Sequence, residues 1–349
     1  MMHRSLLAFT FLAVGVVAAQ SQVQTHLPDA VAGARPVTIE RIKVHGPALK
    51  GNLERNAEDR DVLVILPPGY GFNPARRYPV VYALHGYFIG AEQWSKEIHV
   101  PRTVEGAFAK GAAEMIVVMP DSKTIHNGSM YSSSVTTGDF ETFIARDLVA
   151  AIDTRYRTIA QRESRGLAGH SMGGYGATRI GMKHADVFGN LYIMSPCCLA
   201  PRPMPRAEDE AALASLKSLE EAAKLPFPQR AQLASASAWS PNPAKPPLYL
   251  DLPYGAGQQD VRARWAANAP LAFLDQYVGN LRRYRGIALD VGDQDGLKAD
   301  TQKLHEALNR YGIANSFEIY PGTHVSHIAL RFQDHVLPFF SRTLTGEKR

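Results

Sequence analysis

Residues 169–173 read Gly-His-Ser-Met-Gly, a G-x-S-x-G motif with a serine at its centre. An apolar strand-like run precedes the motif, and a helix-like stretch follows it at residues 172–184. A serine in a sharp strand-to-helix turn is exposed at the end of its strand, and flanking residues without side chains permit a turn this tight. The motif in this context predicts that Ser171 is a nucleophile.

A serine hydroxyl is a weak nucleophile and needs a general base, and in this arrangement the acid and then the histidine follow the serine in the chain. We expect His324 to be the base, because it lies in a loop directly after the last predicted strand; His327 is the alternative. Asp293 and Asp295 both lie in the loop after the preceding strand. Asp295 is favoured because it lies farther out, just before a helix, and its carboxylate would orient the imidazole and stabilise the imidazolium.

Acyl transfer also needs N–H donors for the oxyanion. One donor is the backbone N–H of the residue after the nucleophile, here Met172. A second donor comes from the loop after the third predicted strand, where Gly86 permits a close approach of the backbone. The backbone N–H of Tyr87 is therefore the candidate for the second donor.

Weaker candidates lie on loops at the same predicted edge of the sheet, where they would line a substrate pocket: Trp94, Asp121, Tyr131, Cys197 and His327. For each of them an ordinary structural role in its loop is an equally good interpretation. Cys197 is followed by the only other cysteine of the chain, Cys198. The adjacent thiols would shape the acyl pocket or respond to oxidation; two partly buried thiols without such a role are the alternative.

These side chains need strands whose carboxyl ends share one edge of a sheet. Strand-like runs rich in Val, Ile, Leu and Tyr alternate with helix-like stretches, which is typical of a mainly parallel sheet with helices on both faces. The predicted strands span residues 38–44, 61–66, 78–84, 115–119, 165–169, 190–194, 286–291 and 316–320. The predicted helices span residues 139–156, 172–184, 297–311 and 325–344. The sequence thus predicts the α/β-hydrolase fold with about eight strands, the first two antiparallel.

Two segments interrupt this alternation. Residues 1–19 combine a short basic region with an apolar run that ends in small residues, which predicts a cleaved signal peptide; an uncleaved anchor is the alternative. Residues 201–270 join an Ala/Glu/Leu-rich stretch to a proline-dense one and predict a cap-like insertion, or a surface excursion unrelated to the site. Residues 20–349 then form one hydrolase domain, which we expect to be secreted or periplasmic.

Composition excludes several classes of protein. The chain is 45% hydrophobic and 20% charged, which is ordinary for a globular protein and unlike a disordered one. Its formal net charge is +5, but the basic residues are scattered, so a nucleic-acid partner is not expected. No Cys/His cluster has zinc spacing and no later apolar run is long enough to cross a bilayer. We expect no metal, no cofactor and no membrane span after cleavage of the signal.

The motifs together resemble the esterase D-like family of α/β-hydrolases. This family includes S-formylglutathione hydrolases, feruloyl and acetylxylan esterases, enterochelin esterases and mycobacterial mycolyltransferases. The matching segments are residues 78–86, 117–121, 168–176 and 320–324. The resemblance implies Ser171, Asp295 and His324 as the catalytic triad, with Tyr87 and Met172 as the oxyanion donors.

The chain departs from the family pattern in two places. Many members have an aromatic residue soon after the catalytic histidine, where this chain has Val-Ser-His at residues 325–327. The proline-rich insertion is also longer than in the simplest members. Both departures affect the pocket, so the identity of the substrate is not carried over from the family.

We therefore expect a carboxylic ester hydrolase that works through an acyl-enzyme intermediate on a small-molecule or carbohydrate ester. An acyltransferase that delivers the acyl group to a sugar hydroxyl would use the same residues. A non-catalytic carbohydrate- or lipid-binding protein on the same fold is a further alternative.

Overall fold

The computed structural model describes residues 25–201, 207–255 and 257–346. In chain order the strands are β1 (Thr38–His45), β2 (Asp59–Leu66), β3 (Val80–Leu84), β4 (Ile116–Pro120), β5 (Ser133–Ser134), β6 (Gly138–Asp139), β7 (Arg165–His170), β8 (Asn190–Met194), β9 (Gly286–Gly292) and β10 (Ser316–Tyr320). All except β5 and β6 form one eight-stranded sheet in the order β1-β2-β4-β3-β7-β8-β9-β10. The prediction of a central sheet of about eight strands is confirmed.

Strand pairing in this sheet is parallel except at one end. The first strand β1 pairs antiparallel with β2, as predicted, and β2 pairs antiparallel with β4. The other neighbours are parallel. Every residue of β3, β4, β7 and β8 is buried, and β3 and β4 read as the continuous apolar runs expected of strands covered on both faces.

The helices connect these strands. In chain order they are α1 (Ala91–Glu97), α2 (Arg102–Ala109), α3 (Phe140–Thr142), α4 (Val149–Arg155), α5 (Met172–Lys183), α6 (Ala207–Ala214), α7 (Leu219–Ala223), α8 (Phe227–Trp239), α9 (Gln258–Ala267), α10 (Pro270–Phe273), α11 (Val278–Leu281), α12 (Lys298–Arg310), α13 (Ile328–Arg331) and α14 (Leu337–Thr343). Two π-helical segments, Phe143–Leu148 and Phe332–Val336, join α3 to α4 and α13 to α14. Short 3-10 helices lie at Pro47–Leu49, Arg162–Ser164 and Leu274–Tyr277.

Helices cover both faces of the sheet and enclose two apolar cores. One core includes Phe140 and Phe143 beside α3 and Tyr175 in α5. The other includes Trp94 in α1 and Phe332 between α13 and α14. The predicted two-sided covering of the sheet is therefore observed.

The last helix begins later than its sequence pattern predicts. We predicted a helix from residue 325, but the helix begins at Ile328. The reason is local, because the N–H of Thr323 donates to the Ser326 hydroxyl at 3.0 Å and closes a loop there. This loop carries His324, so the late helix start leaves the histidine on a turn.

The predicted insertion, residues 201–270, contributes α6 to α9 and packs against the loop after β4. Trp239 at the end of α8 donates through Nε1 to the Ser132 hydroxyl at 3.2 Å, and its ring lies 5.6 Å from that of Tyr175. The limits of this insertion stay a prediction, as does the signal peptide, since residues 1–19 lie outside the described ranges. Within the described ranges, we find no helix with the length and apolar character that crossing a membrane requires.

A buried acid lies beside a buried histidine near α8. The side chains of Glu54 and His126 are 1% and 4% exposed, with 3.7 Å between Oε1 and Nε2. The Glu54 carboxylate accepts from Asn56 Nδ2 at 2.7 Å. Burial raises the pKa of Glu54 to about 7 and lowers the pKa of His126 to about 4, so both groups are held toward their neutral forms.

We expect the stability of Glu54→Gln, measured relative to that of the parent, to increase as the pH rises. The pKa of Glu54 is about 7 in the folded protein against an ordinary 4.5, so the folded state holds the extra proton between these values. The contribution of Glu54 to stability is therefore lost as the pH rises through 7, by up to about 3 kcal/mol. A glutamine does not ionise and still offers Asn56 an oxygen.

Denaturant unfolding at about pH 5 and about pH 8 measures this effect. The advantage of Glu54→Gln over the parent should be larger at the higher pH. The exposed Glu306→Gln is the matched control and should show the same small difference at both values. An equal difference for Glu54→Gln at both pH values would contradict the prediction.

Candidate active site

Ser171 lies between the end of β7 and the first residue of α5, in a conformation that is rare for a residue with a side chain. Its φ is 58° and its ψ is −114°. A Cβ on Gly169 would lie 2.1 Å from the carbonyl oxygen of Gly173, and a Cβ on Gly173 would lie 2.0 Å from that of Leu84. Both glycines of the motif are thus required by the crowding of the backbone around the turn.

Three side chains meet at this turn through two hydrogen bonds. Nε2 of His324 lies 2.9 Å from Oγ of Ser171, and Nδ1 of the same ring lies 2.7 Å from Oδ2 of Asp295. His324 is on the loop after β10 and Asp295 is on the loop after β9, so the carboxyl ends of three parallel strands supply the three groups. The chain order is serine, aspartate, histidine.

The carboxylate of Asp295 is buried, but its hydrogen bonds favour the ionised form. Burial raises its pKa, yet the hydrogen bonds from His324 and from the backbone N–H of Leu297 outweigh burial and leave the pKa below its ordinary value. An ionised carboxylate at Nδ1 favours the tautomer with the proton on that nitrogen. Nε2 is then available to accept the serine proton.

Asp293 and His327, the alternative acid and the alternative base predicted from the sequence, have contacts elsewhere. Oδ1 of Asp293 accepts from the backbone N–H of Gly322 at 2.9 Å, which joins the loops after β9 and β10. His327 lies with Nδ1 2.8 Å from the Ser326 hydroxyl and Nε2 3.2 Å from Nδ1 of His26. Asp293 therefore braces the loops, while His327 contacts the N-terminal segment.

The loop after β3 runs beside the nucleophile. A Cβ on Gly86 would lie 3.5 Å from Cβ of Ser171, so the backbone that leads to Tyr87 passes directly alongside. On the other side, Met172 is the first residue of α5, and an N–H at that position has no partner within its own helix. These two backbone segments are where the sequence analysis placed the oxyanion donors.

His85 and Tyr131 hold this loop in place. The backbone N–H of Ser122 donates to Nε2 of His85 at 2.8 Å, so the ring proton is on Nδ1, which donates to the Gly86 carbonyl at 2.8 Å. Burial lowers the pKa of His85 and keeps the ring neutral. The Tyr131 hydroxyl donates to the His85 carbonyl at 3.1 Å. Tyr131 is therefore part of the support of the loop, behind the predicted pocket wall.

A cavity of about 440 Å³ opens at Ser171. Its lining is largely apolar and consists of Gly86, Tyr87, Phe88, Ile89, Gln93, Trp94, Glu97, His170, Ser171, Phe227, His324, Val325 and Ile328. A cavity of about 500 Å³ elsewhere, beside Arg76, Glu114 and Phe340, contains none of the predicted site residues. The cavity at Ser171 is therefore the candidate substrate pocket, and Trp94 is among its lining residues.

Asp121 and Cys197 lie near this pocket with contacts of their own. Asp121 pairs with Arg60 at 2.7 Å and accepts from the backbone N–H of Ala91 at 3.2 Å, so it holds the first turn of α1. Cys197 follows β8, and its backbone N–H donates to the carbonyl of Ser171 at 3.1 Å. Asp121 thus forms a structural ion pair, whereas the backbone of Cys197 is hydrogen-bonded to the backbone of the nucleophile.

Sequence reasoning did not identify His170 and Phe227. Nε2 of His170 lies 2.9 Å from the backbone oxygen of His324, and burial lowers the pKa of His170 to about 3, so the ring is neutral and donates to that oxygen. His170, the residue before the serine in the G-x-S-x-G motif, thus anchors the loop that carries His324. Phe227, the first residue of α8, packs 5.3 Å from the Tyr87 ring and closes one side of the cavity.

In the part of the chain that the structure describes, no group of three or more His, Cys, Asp or Glu residues could hold a metal ion.

The chain is similar to esterases both in its sequence and in its fold. The Esterase family model, described as Putative esterase, matches residues 54–338. An endo-1,4-beta-xylanase/feruloyl esterase of Xylanibacter ruminicola is 30% identical over 138 residues, which are 38% of this chain and 19% of that protein. Esterase Rv1288 of Mycobacterium tuberculosis is 33% identical over 132 residues, 37% of this chain and 27% of that protein. A solved ferulic acid esterase superposes with a TM-score of 0.65 at 24% identity, covering 88% of this chain and 99% of that one.

Proposed function

Because this chain belongs to the Esterase family, as its motifs predicted, we propose that it hydrolyses carboxylic esters with Ser171 as the nucleophile. The observation that carries the proposal is the unbroken pair of hydrogen bonds from Ser171 to His324 to Asp295, at 2.9 and 2.7 Å. This arrangement holds a base next to a hydroxyl and a carboxylate next to the base.

In the proposed reaction Oγ of Ser171 attacks the ester carbonyl while Nε2 of His324 takes its proton. The charged imidazole is stabilised by Asp295 at Nδ1. The backbone N–H groups of Tyr87 and Met172 stabilise the negative charge that develops on the carbonyl oxygen. The alcohol leaves with the proton from His324. A water molecule then gives a proton to His324 as it attacks the acyl-enzyme, the bond between Ser171 and the acyl group breaks to release the acid, and Ser171 regains its proton from His324.

The lining of the cavity supports an aromatic acyl group as the substrate. Tyr87, Phe88, Trp94 and Phe227 supply four aromatic rings, and a flat ring gains from offset or edge contacts with such walls. Two of the similar proteins have feruloyl or ferulic acid esterase in their names. We propose esters of hydroxycinnamic acids as the substrate class, with a carbohydrate or another small alcohol as the leaving group.

Comparing methyl ferulate and methyl p-coumarate with p-nitrophenyl acetate, butyrate and octanoate tests the substrate class. We expect Phe227→Ala to raise KM for the hydroxycinnamates about tenfold, because one ring contact of about 1–1.5 kcal/mol is lost. KM for the acetate should stay near the parental value. Phe72→Ala, at a phenylalanine that is 83% exposed, is the matched control. Equal effects of Phe227→Ala on both ester classes would contradict an aromatic acyl pocket.

Transfer to a sugar hydroxyl is the alternative fate of the same acyl-enzyme. Product analysis with a sugar acceptor present separates the two reactions: free acid is expected, and acylated sugar as the main product would favour the acyltransferase. We also propose that the protein is exported, on the pattern of residues 1–19. Sequencing the N-terminus of the mature protein tests cleavage after residue 19.

A further inference from the structure

Two adjacent thiols follow β8, and the proposed reaction uses neither of them. Cys197 and Cys198 are both thiols in the structure, and both are half-buried. Their sulfur atoms lie 2.7 Å apart. Neighbouring side chains in an extended segment point to opposite sides, so this approach needs a special backbone. Cys198 supplies it with a φ of 62°, in the left-handed region that residues with a side chain seldom adopt.

The pair is joined to the nucleophile through the backbone. The N–H of Cys197 donates to the carbonyl of Ser171 at 3.1 Å, and the N–H of Ser171 donates to the Met194 carbonyl at the end of β8. The end of β8 and the thiol-bearing loop after it therefore bond the N–H and the carbonyl of Ser171, respectively. A change in the backbone of this loop would act on the residue whose own φ of 58° is already unusual.

We propose that Cys197 and Cys198 form one dithiol site that reacts as a pair with disulfides, and that closing the pair changes the rate of turnover at Ser171. Two sulfur atoms on the same side of the chain can act on one reagent in succession, which a single half-buried thiol cannot do. The site goes beyond the proposed ester hydrolysis, since its chemistry requires neither the triad nor an ester.

The reaction proceeds by thiol–disulfide exchange with a small disulfide such as oxidised glutathione. One protein thiolate attacks a sulfur of the reagent, so a mixed disulfide forms and one reagent thiol leaves. The second protein thiolate attacks the protein-side sulfur of the mixed disulfide and releases the second reagent thiol. Overall the two cysteines lose two protons and two electrons, and the small disulfide gains both as two thiols.

The closed form should be easy to reduce again. Cα atoms of adjacent residues are about 3.8 Å apart across a trans peptide, whereas bridged cysteines usually have Cα atoms about 4.4–6.8 Å apart. Closing the pair must therefore distort the loop. The distortion favours reduction, and it also displaces the Cys197 N–H from the Ser171 carbonyl.

Intact-mass measurement on the native protein treated with oxidised glutathione tests the site. The parent should lose two hydrogens and retain no glutathione, and dithiothreitol should restore its mass. Cys197→Ser and Cys198→Ser each keep one thiol and should instead retain one glutathione. A parent that keeps glutathione, or stays unmodified, would overturn the dithiol site. This readout does not depend on ester hydrolysis, so its failure is distinct from failure of the proposed function.

The rate of p-nitrophenyl acetate hydrolysis tests the link to Ser171. Oxidation should change kcat of the parent by about threefold or more, the size of effect seen between coupled neighbouring residues. The double variant Cys197→Ser/Cys198→Ser should give the same rate with and without oxidised glutathione. A fully oxidised parent with an unchanged rate would overturn the link.

Discussion

Replacing Ser171 with alanine is expected to lower kcat for ester hydrolysis by roughly 10⁵- to 10⁶-fold. The substitution removes the oxygen that attacks the ester, while His324 and Asp295 keep the hydrogen bond between them at 2.7 Å. Water must then attack directly, and only binding and the backbone N–H donors still assist it. Hydrolysis of p-nitrophenyl acetate and labelling by a fluorophosphonate measure the loss.

The control must show that the loss does not come from unfolding. Ser164 is a buried serine immediately before β7, at the opposite end of this strand from Ser171, and its hydroxyl donates to the Thr345 carbonyl at 2.6 Å. Ser164→Ala should keep nearly parental kcat, although it loses that hydrogen bond. A Ser171→Ala protein that still hydrolyses the ester at a comparable rate, or still reacts with the fluorophosphonate, would contradict the assignment.

The features that the sequence predicted well depend on local patterns. Parallel strands such as β3 and β4 read as short apolar runs, and the loops after three parallel strands, β7, β9 and β10, carry Ser171, Asp295 and His324. In parallel strands those loops share one edge of the sheet, so the residues could be expected to lie close together before any distance was known. The fold and the family were predicted correctly for the same reason.

The features that the sequence missed depend on contacts between distant residues. The hydrogen bond from His170 to His324 joins residues 154 positions apart, and a motif gives no sign of it. Asp121 follows a strand at the correct edge, but Arg60, 61 positions earlier, takes its carboxylate. Phe227 lines the cavity with its ring packed against Tyr87 and Phe88 in the loop after β3, contacts that composition does not predict. Such positions are set by tertiary packing.

The choice between Asp293 and Asp295 is a case where the sequence could only rank two candidates. Both lie in one short loop after β9, and the turn of that loop decides which carboxylate faces the histidine. Asp295 lies 2.7 Å from Nδ1 of His324, whereas Asp293 accepts from the N–H of Gly322. The two residues therefore make a matched pair of variants for one experiment.

Asp295→Asn is expected to lower kcat by about 10⁴-fold with little change in fold. Asparagine has nearly the same size, but its amide is neutral and cannot stabilise the imidazolium. The amide nitrogen can also donate to Nδ1 of His324, which places the ring proton on Nε2, where it prevents the ring from accepting from Ser171. Steady-state rates with p-nitrophenyl acetate, together with a thermal unfolding curve, measure both parts of this expectation.

Asp293→Asn is the matched control, because its amide oxygen can still accept from the Gly322 N–H. Its kcat should stay within a few-fold of the parent. The reverse outcome, in which Asp293→Asn is inactive and Asp295→Asn is active, would assign the acid to Asp293 and require that the loop after β9 turns differently in solution. If both variants lose activity together and unfold at lower temperature, the loop as a whole holds His324, and the role of Asp295 as the charged partner of the imidazole would be contradicted.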